Sequence, residues 1–292
     1  MLIGIISAFG ASLSWTYACS IWRMQTTIYK PININFLKNI IAFIIFSPTI
    51  LLFNYSTEYK YFFILILSGI VGIGLGDTFY LKSLKMIGTR KTLSIEALSP
   101  LIAAFTGGFF INESLSIKSW IGIIVISTSL ILIIRKKTVL LDKESKLIHS
   151  KISFGKFLYA FLSIICAVFA ALLSRLVLVE SDLMPIQTTE IRLLGAIFFL
   201  FPINNFKLHN LLEDSTKKEK GRFIISVIMG TNIGIFLQQT VFQNLPLGIG
   251  WTLLSTSPVF SLFFAKKEEG ILTKSTIALT LFLFTGISLI LL

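Results

Sequence analysis

The stretch Ser226–Pro258 repeats Ser68–Pro100 without a gap at an offset of 158. Gly72 falls on Gly230, Gly76 on Gly234, and Ser99-Pro100 on Ser257-Pro258. Both copies are apolar and long enough to span a membrane. A membrane chain built from two copies of one helical unit is most often a transporter, because the seam between the copies can open to either side in turn.

The composition agrees. Of 292 residues, 54% are hydrophobic and 14% charged, and the mean hydropathy is +0.85, too apolar for a soluble domain of this charge. The formal charge of +12 does not point to nucleic acid, because the basic residues fall in short loops between apolar runs and form no basic face. Cys19 and Cys166 lie inside apolar runs, and His149 and His209 stand alone, so the chain offers no disulfide framework and no metal site. It contains no nucleotide-binding or nucleophile-elbow motif, so no cofactor is expected.

Ten apolar segments can be read, at 2–22, 34–53, 61–81, 92–111, 117–134, 156–179, 184–203, 222–243, 247–265 and 274–292. The fold class expected is an all-α polytopic membrane protein of ten transmembrane helices in two inverted five-helix repeats. Residues 1–134 form the first repeat and 155–292 the second, joined by a basic cytoplasmic linker over 135–154. The first segment has no basic residue before it and is read as a retained span rather than a signal peptide. Loops 1–2, 3–4, 5–6, 7–8 and 9–10, with their helix ends, hold 22 of the 26 Lys and Arg, against 3 on the other side. The odd loops are therefore expected in the cytoplasm and both termini outside. Five helices per half make the second half enter the membrane in the opposite sense. Further pairs support the repeat: Lys38 with Arg192, Pro48 with Pro202, and Glu113 with Glu269.

Each copy carries a G-x-x-x-G, Gly72/Gly76 and Gly230/Gly234, which lets another backbone come close. The expectation is tight packing of the third and eighth segments, with direct packing on each other across the pseudo-two-fold as one option. Pro100 and Pro258 bend or interrupt the fourth and ninth segments. Asp77 and Glu96 are the sharpest signals. A carboxylate at membrane depth costs about 2.5–3.5 kcal/mol on insertion scales, so it faces a cavity or a partner. Tyr80 lies one turn from Asp77 and Ser99 one turn from Glu96. The positions that match Asp77 and Glu96 in the second copy are Ile235 and Leu254, and that half offers Asn232, Gln238, Gln239 and Gln243 instead. A symmetric scaffold with an asymmetric polar lining suits an asymmetric polar solute. For every one of these residues helix packing is the competing reading. Trp15, Trp22 and Trp251 read as interface anchors or packing rather than as ligands.

The phrases LKSLKMIGTRKTLSIEALSPLIAAFTGGFFINESLS and GIGWTLLSTSPVFSLFFAKKEEGIL, with the five-plus-five split, resemble the EamA-type permeases of the drug/metabolite transporter superfamily. Ser99-Pro100, Glu113-Ser114-Leu115-Ser116, Ser257-Pro258 and Glu269 carry the resemblance, which covers essentially the whole chain. It implies a secondary transporter of small polar metabolites such as amino acids, working by export or exchange, with proton coupling as one option, in a plasma or inner membrane. Its partners are then the lipid bilayer and a small solute, and a homodimer stays open. The competing class is a non-transporting membrane scaffold or a lipid-modifying membrane enzyme, and the acids look too scattered along the chain for an enzyme. In intact cells a single cysteine in the 135–153 linker of a Cys-free background should be shielded from an impermeant thiol reagent, and one near Leu292 should react; labelling of the linker from outside would reverse the orientation.

Overall fold

The computed structural model describes residues 1–52, 59–96, 98–135, 154–204, 216–257, 259–260, 279, 282 and 285–290. The described residues are helices joined by turns, with no strand among them. That is what a bilayer demands, since a helix satisfies its own backbone hydrogen bonds. In the first half α1 (Leu2–Ile28) and α2 (Pro31–Phe46) precede α3 (Tyr59–Ser68), which runs through a π-helical segment (Gly69–Gly76) into α4 (Asp77–Glu96). α5 (Ser99–Phe110) and α6 (Ile117–Arg135) follow. In the second half α7 (Phe154–Glu180) and α8 (Pro185–Ile203) precede α9 (Lys217–Ser226), a second π-helical segment (Val227–Ile233), α10 (Gly234–Asn244) and α11 (Leu247–Leu254).

Local chemistry explains the starts of these helices. Pro31 and Pro185 open α2 and α8, where a missing N–H costs nothing. Thr216 and Glu219 cap α9 reciprocally, with Glu219 N–H donating to Thr216 Oγ1 and Thr216 N–H to Glu219 Oε2.

Among the described residues six helical stretches are long and apolar enough to cross a membrane: Leu2–Ile28, Pro31–Thr49, Tyr59–Gly88, Phe157–Glu180, Pro185–Ile203 and Lys217–Asn244. Ser99–Phe110 and Ile117–Leu132 are shorter apolar helices. Phe105, Phe109, Ile117 and Phe198 stand exposed on their outer faces, an apolar surface that lipid rather than water covers. The chain is a multi-pass integral membrane protein. The described residues do not show the expected count of ten. The ninth expected segment is described only as α11 and a few residues after it, the tenth only in part, and Pro258 and Glu269 lie outside the described residues.

Several helix ends differ from the sequence reading, α1 running on to Ile28 and α9 starting at Lys217, and two of the differences shape the site. The third segment continues to Gly88, where a φ of 81° that only glycine takes readily turns the chain. The fourth, expected as one span over 92–111, is broken between Glu96 and Ser99. Ser99 Oγ donates to the Glu96 carbonyl at 2.6 Å, and Pro100 sits in the first turn of α5, where it can restart a helix but not continue one.

Packing crosses between the halves in a paired way. The helix formed by α3, the first π segment and α4 lies against α7 and α8. The equivalent α9, second π segment and α10 lie against α1. α2 packs on α8, and α5 on α11. The repeated glycines stand at these crossings rather than on one another. A Cβ on Gly72 would lie 2.5 Å from Ala170 Cβ, and one on Gly230 would overlap Ala18 and Trp22. Gly76 abuts Cys166, whereas Gly234 meets nothing beyond its own helix. The tightest crossing is one that the repeat does not mark: a Cβ on Gly69 would overlap the Arg192 carbonyl, and one on Gly195 the Ile66 carbonyl.

Gly230→Leu should therefore cost about 3 kcal/mol of stability, read as thermal unfolding in detergent. Gly221→Leu should stay within about 0.5 kcal/mol, because among the described residues a Cβ there meets nothing within 4 Å outside its own helix. Gly4, which its place near the end of the sequence marks as forgiving, is no control, since Leu245 Cγ would sit 2.7 Å from its Cβ. Equal tolerance at Gly230 and Gly221 would remove the packed crossing.

Candidate functional site

A cavity of about 90 Å³ lies between the two halves. The first half supplies Trp15 from α1, Gly72 and Ile73 from the first π segment, Asp77 from the start of α4 and Glu96 from its end. The second half supplies Arg192 from α8, Gly234, Ile235 and Gln238 from α10, and Trp251 from α11. A smaller chamber of about 40 Å³ shares Trp15, Asp77, Glu96 and Trp251 and adds Gly76, Tyr80 and Ser99. The two acids, 19 positions apart in sequence, meet here because Gly88 folds the chain back and the break after Glu96 leaves that side chain at a helix end.

The cations come from helices that the repeat makes equivalent. Lys38 of α2 is fully buried and donates from Nζ to Asp77 Oδ2 at 2.6 Å. The same Nζ reaches Asn39 Oδ1 at 3.2 Å and lies 5.4 Å from the centre of the Trp22 ring. Arg192 of α8 is only 4% exposed. Its head lies over Gly72, where a Cβ would come within 3.2 Å of Nη2. Among the described residues Nε and Nη1 of Arg192 have no hydrogen-bond partner, and neither do Glu96 Oε2 and Trp251 Nε1. Asp77 interacts electrostatically with both Arg192 and Glu96. An unpaired charge in a low-dielectric interior is expensive, so Arg192 and Glu96 are the two groups here with something left to bind.

Tyr80 is buried beside the acids, its hydroxyl 3.4 Å from Cys19 Sγ and its ring 5.7 Å from that of Trp15. The amides of the second half separate. Gln238 lines the cavity. Asn232 instead donates to the Ala42 carbonyl at 2.9 Å and ties the second π segment to α2. Gln239 Oε1 accepts from Thr188 Oγ1 at 3.3 Å, and Gln243 is exposed away from the cavity. Glu113 is also elsewhere. Its Oε1 accepts from Arg175 Nε at 2.8 Å and its Oε2 from Leu247 N–H at 2.6 Å. Arg175 Nη1 donates on to the Phe242 and Gln243 carbonyls. That group ties the turn before α6 to α7 and to the start of α11.

Trp15, Trp251 and Ser257 line the cavity, although Trp15 and Trp251 read as packing from sequence. For Trp251 the repeat held the missing signal: it lies one helical turn from Leu254, the position equivalent to Glu96, and both line the cavity.

Two helical repeats closed around a charged cavity within a membrane have the build of a solute transporter. Residues 2–135 and 155–292 both match the model of the EamA-like transporter family, and the chain belongs to that family. No curated protein matches it by sequence. A crystal structure of a protein superposes on it with a TM-score of 0.74, covering 98% of this chain and 95% of the other at 14% identity, a likeness of fold alone.

The Lys38–Asp77 contact makes its own prediction. Asp77→Asn leaves a fully buried ammonium without its counter-charge and should cost about 3–5 kcal/mol of stability. Replacing both partners, Lys38→Met with Asp77→Leu, should recover most of that loss, because an apolar pair needs no compensation. Thermal unfolding of the two variants in detergent decides it. A single variant as stable as the parent would show that the pair is not coupled.

Proposed function

We propose that this protein is a secondary active transporter that carries a small polar metabolite, such as an amino acid, across the plasma or inner membrane by alternating access. The observation that supports this is the cavity between the repeats, lined from both halves by Asp77, Glu96, Arg192 and Gln238. A charged cavity at membrane depth is costly unless it handles a polar solute or an ion. The two moving bodies are the repeats of residues 1–134 and 155–292, inverted relative to each other and linked through 135–154. They rock about the crossings of α2 on α8 and α5 on α11, which join one helix of each half. Both termini lie outside and the basic loops in the cytoplasm. Lys38, counted among the loop charges in sequence, is buried in α2 and drops out of that bias, which remains strongly one-sided without it.

Within this reading Glu96 is the coupling group. Asp77 is already bound to Lys38, whereas Glu96 has a free oxygen at the cavity wall. Purified protein in proteoliposomes should move a labelled solute from a metabolite panel faster than protein-free vesicles do, and a pH gradient should drive it. Glu96→Gln keeps size and hydrogen bonding but cannot titrate. It should lose the response to the gradient, and whatever exchange it keeps at equal pH should be independent of pH. A Glu96→Gln protein with the parent's pH response would remove Glu96 from coupling, and absence of flux for the whole panel would count against transport itself.

A further inference from the structure

We infer that Arg192 is an anion-binding subsite for one end of the solute, left open because the repeat of its counter-ion is missing, and that the solute is a small zwitterion with carboxylate and ammonium a few bonds apart. This deepens the transport reading and rests on it. Lys38 and Arg192 occupy equivalent places in the two repeats, on α2 and α8. Lys38 meets Asp77 on the neighbouring helix at 2.6 Å. The position equivalent to Asp77 in the second repeat is Ile235, on α10, which packs beside α8 and lines the cavity. The scaffold therefore places a cation twice and supplies its carboxylate once.

Arg192 is over nine-tenths buried, it lines the cavity, and its Nε and Nη1 have no partner among the described residues. The guanidinium is a rigid fork of donors that fits a carboxylate in two-point contact. Trp251 Nε1, also unpartnered, is a further donor at the same cavity. A purely anionic solute fits poorly, because Asp77 and Glu96 face the same space. Glu96 Oε2 is the free acceptor for a cationic end, and the Trp15 ring on the same wall can add a cation–π contact. A cavity of about 90 Å³ takes both ends of a solute only when a short spacer joins them.

The test uses full-length protein in proteoliposomes and three related probes: an amino acid, the amine left when its carboxylate is removed, and the acid left when its ammonium is removed. The parent should bind and carry the amino acid best, with binding followed by tryptophan fluorescence. Arg192→Gln should weaken the amino acid and the acid by roughly thirtyfold or more, yet leave the amine unchanged or tighter. Glu96→Gln should do the reverse, hurting the amino acid and the amine but not the acid. If Arg192→Gln does not fold, Arg192→Lys keeps the charge without the fork. It should bind the amino acid more weakly than the parent while still preferring it to the amine. Equal loss for all three probes in the Arg192 variants, or no loss for the amino acid, overturns the subsite. Saturable flux of a neutral solute, with none of the three probes carried, also overturns it but leaves transport standing. No flux for any solute instead sinks the transport reading beneath it.

Discussion

A bilayer core offers nothing to a backbone carbonyl that loses its helical partner, and this chain opens its helices at two equivalent places. The π segments at Gly69–Gly76 and Val227–Ile233 widen the turn in the middle of a membrane-spanning helix. Such widened turns are rare and gather at functional sites. The first is completed from inside the protein, and the second is anchored there. Asn35 Nδ2 of α2 donates to the Ile73 and Gly74 carbonyls at 2.8 and 3.0 Å, and Asn232 Nδ2 returns a bond to Ala42 of α2. α2 is therefore tied to both π segments, one from each half. The glycines serve the same end. Without side chains, Gly72 and Gly230 bring one face of each opened turn against Ala170 and Ala18, so that the glycine faces are covered by protein.

That arrangement decides where charge can sit. Lys38 lies one turn beyond Asn35 on the same face of α2, so the residue that completes the first π segment also brings an ammonium to Asp77, the residue after it. Arg192 arrives by the equivalent route on α8, whose backbone at that residue presses against Gly69. The close approach that requires a glycine at position 69 thus positions the guanidinium above Gly72. Packing and site chemistry are one construction, and neither can change alone.

The membrane class, the two repeats and the family were legible because each rests on a pattern that survives in one dimension: apolar length, glycine spacing, the Ser-Pro pairs. Asp77 and Glu96 stood out because buried acids are costly. Other parts depended on geometry that no spacing encodes. The acids looked scattered because Gly88 and the break after Glu96 bring them together, and a positive φ at one glycine is invisible in a sequence full of glycines. Asn232, Gln239 and Gln243 share a helical face only on a regular α-helix. The π segment that ends at Ile233 shifts the register, so Gln238 reaches the cavity and Asn232 is spent on α2. Glu113 and Glu269 were read as a pair of repeat charges; Glu113 proves to be a helix-end tie, bonded to Arg175 and to the first N–H of α11.

Departures from the repeat say more about this protein than the repeat does. Symmetry accounts for what any two-fold scaffold needs: paired π segments, paired glycine crossings, paired cations. A perfectly symmetric cavity would bind a solute equally well in two opposed orientations, and the solute would meet the same groups from either side. Here an acid lies on one side and an isoleucine at the equivalent place on the other, so the two orientations of a dipolar solute differ in energy. On the proposed reading a dipolar solute is therefore favoured in one sense over the other. On the transport reading proposed above, Asp77 and Arg192 ride on helices of the two repeats, so that preference is built into the repeats themselves.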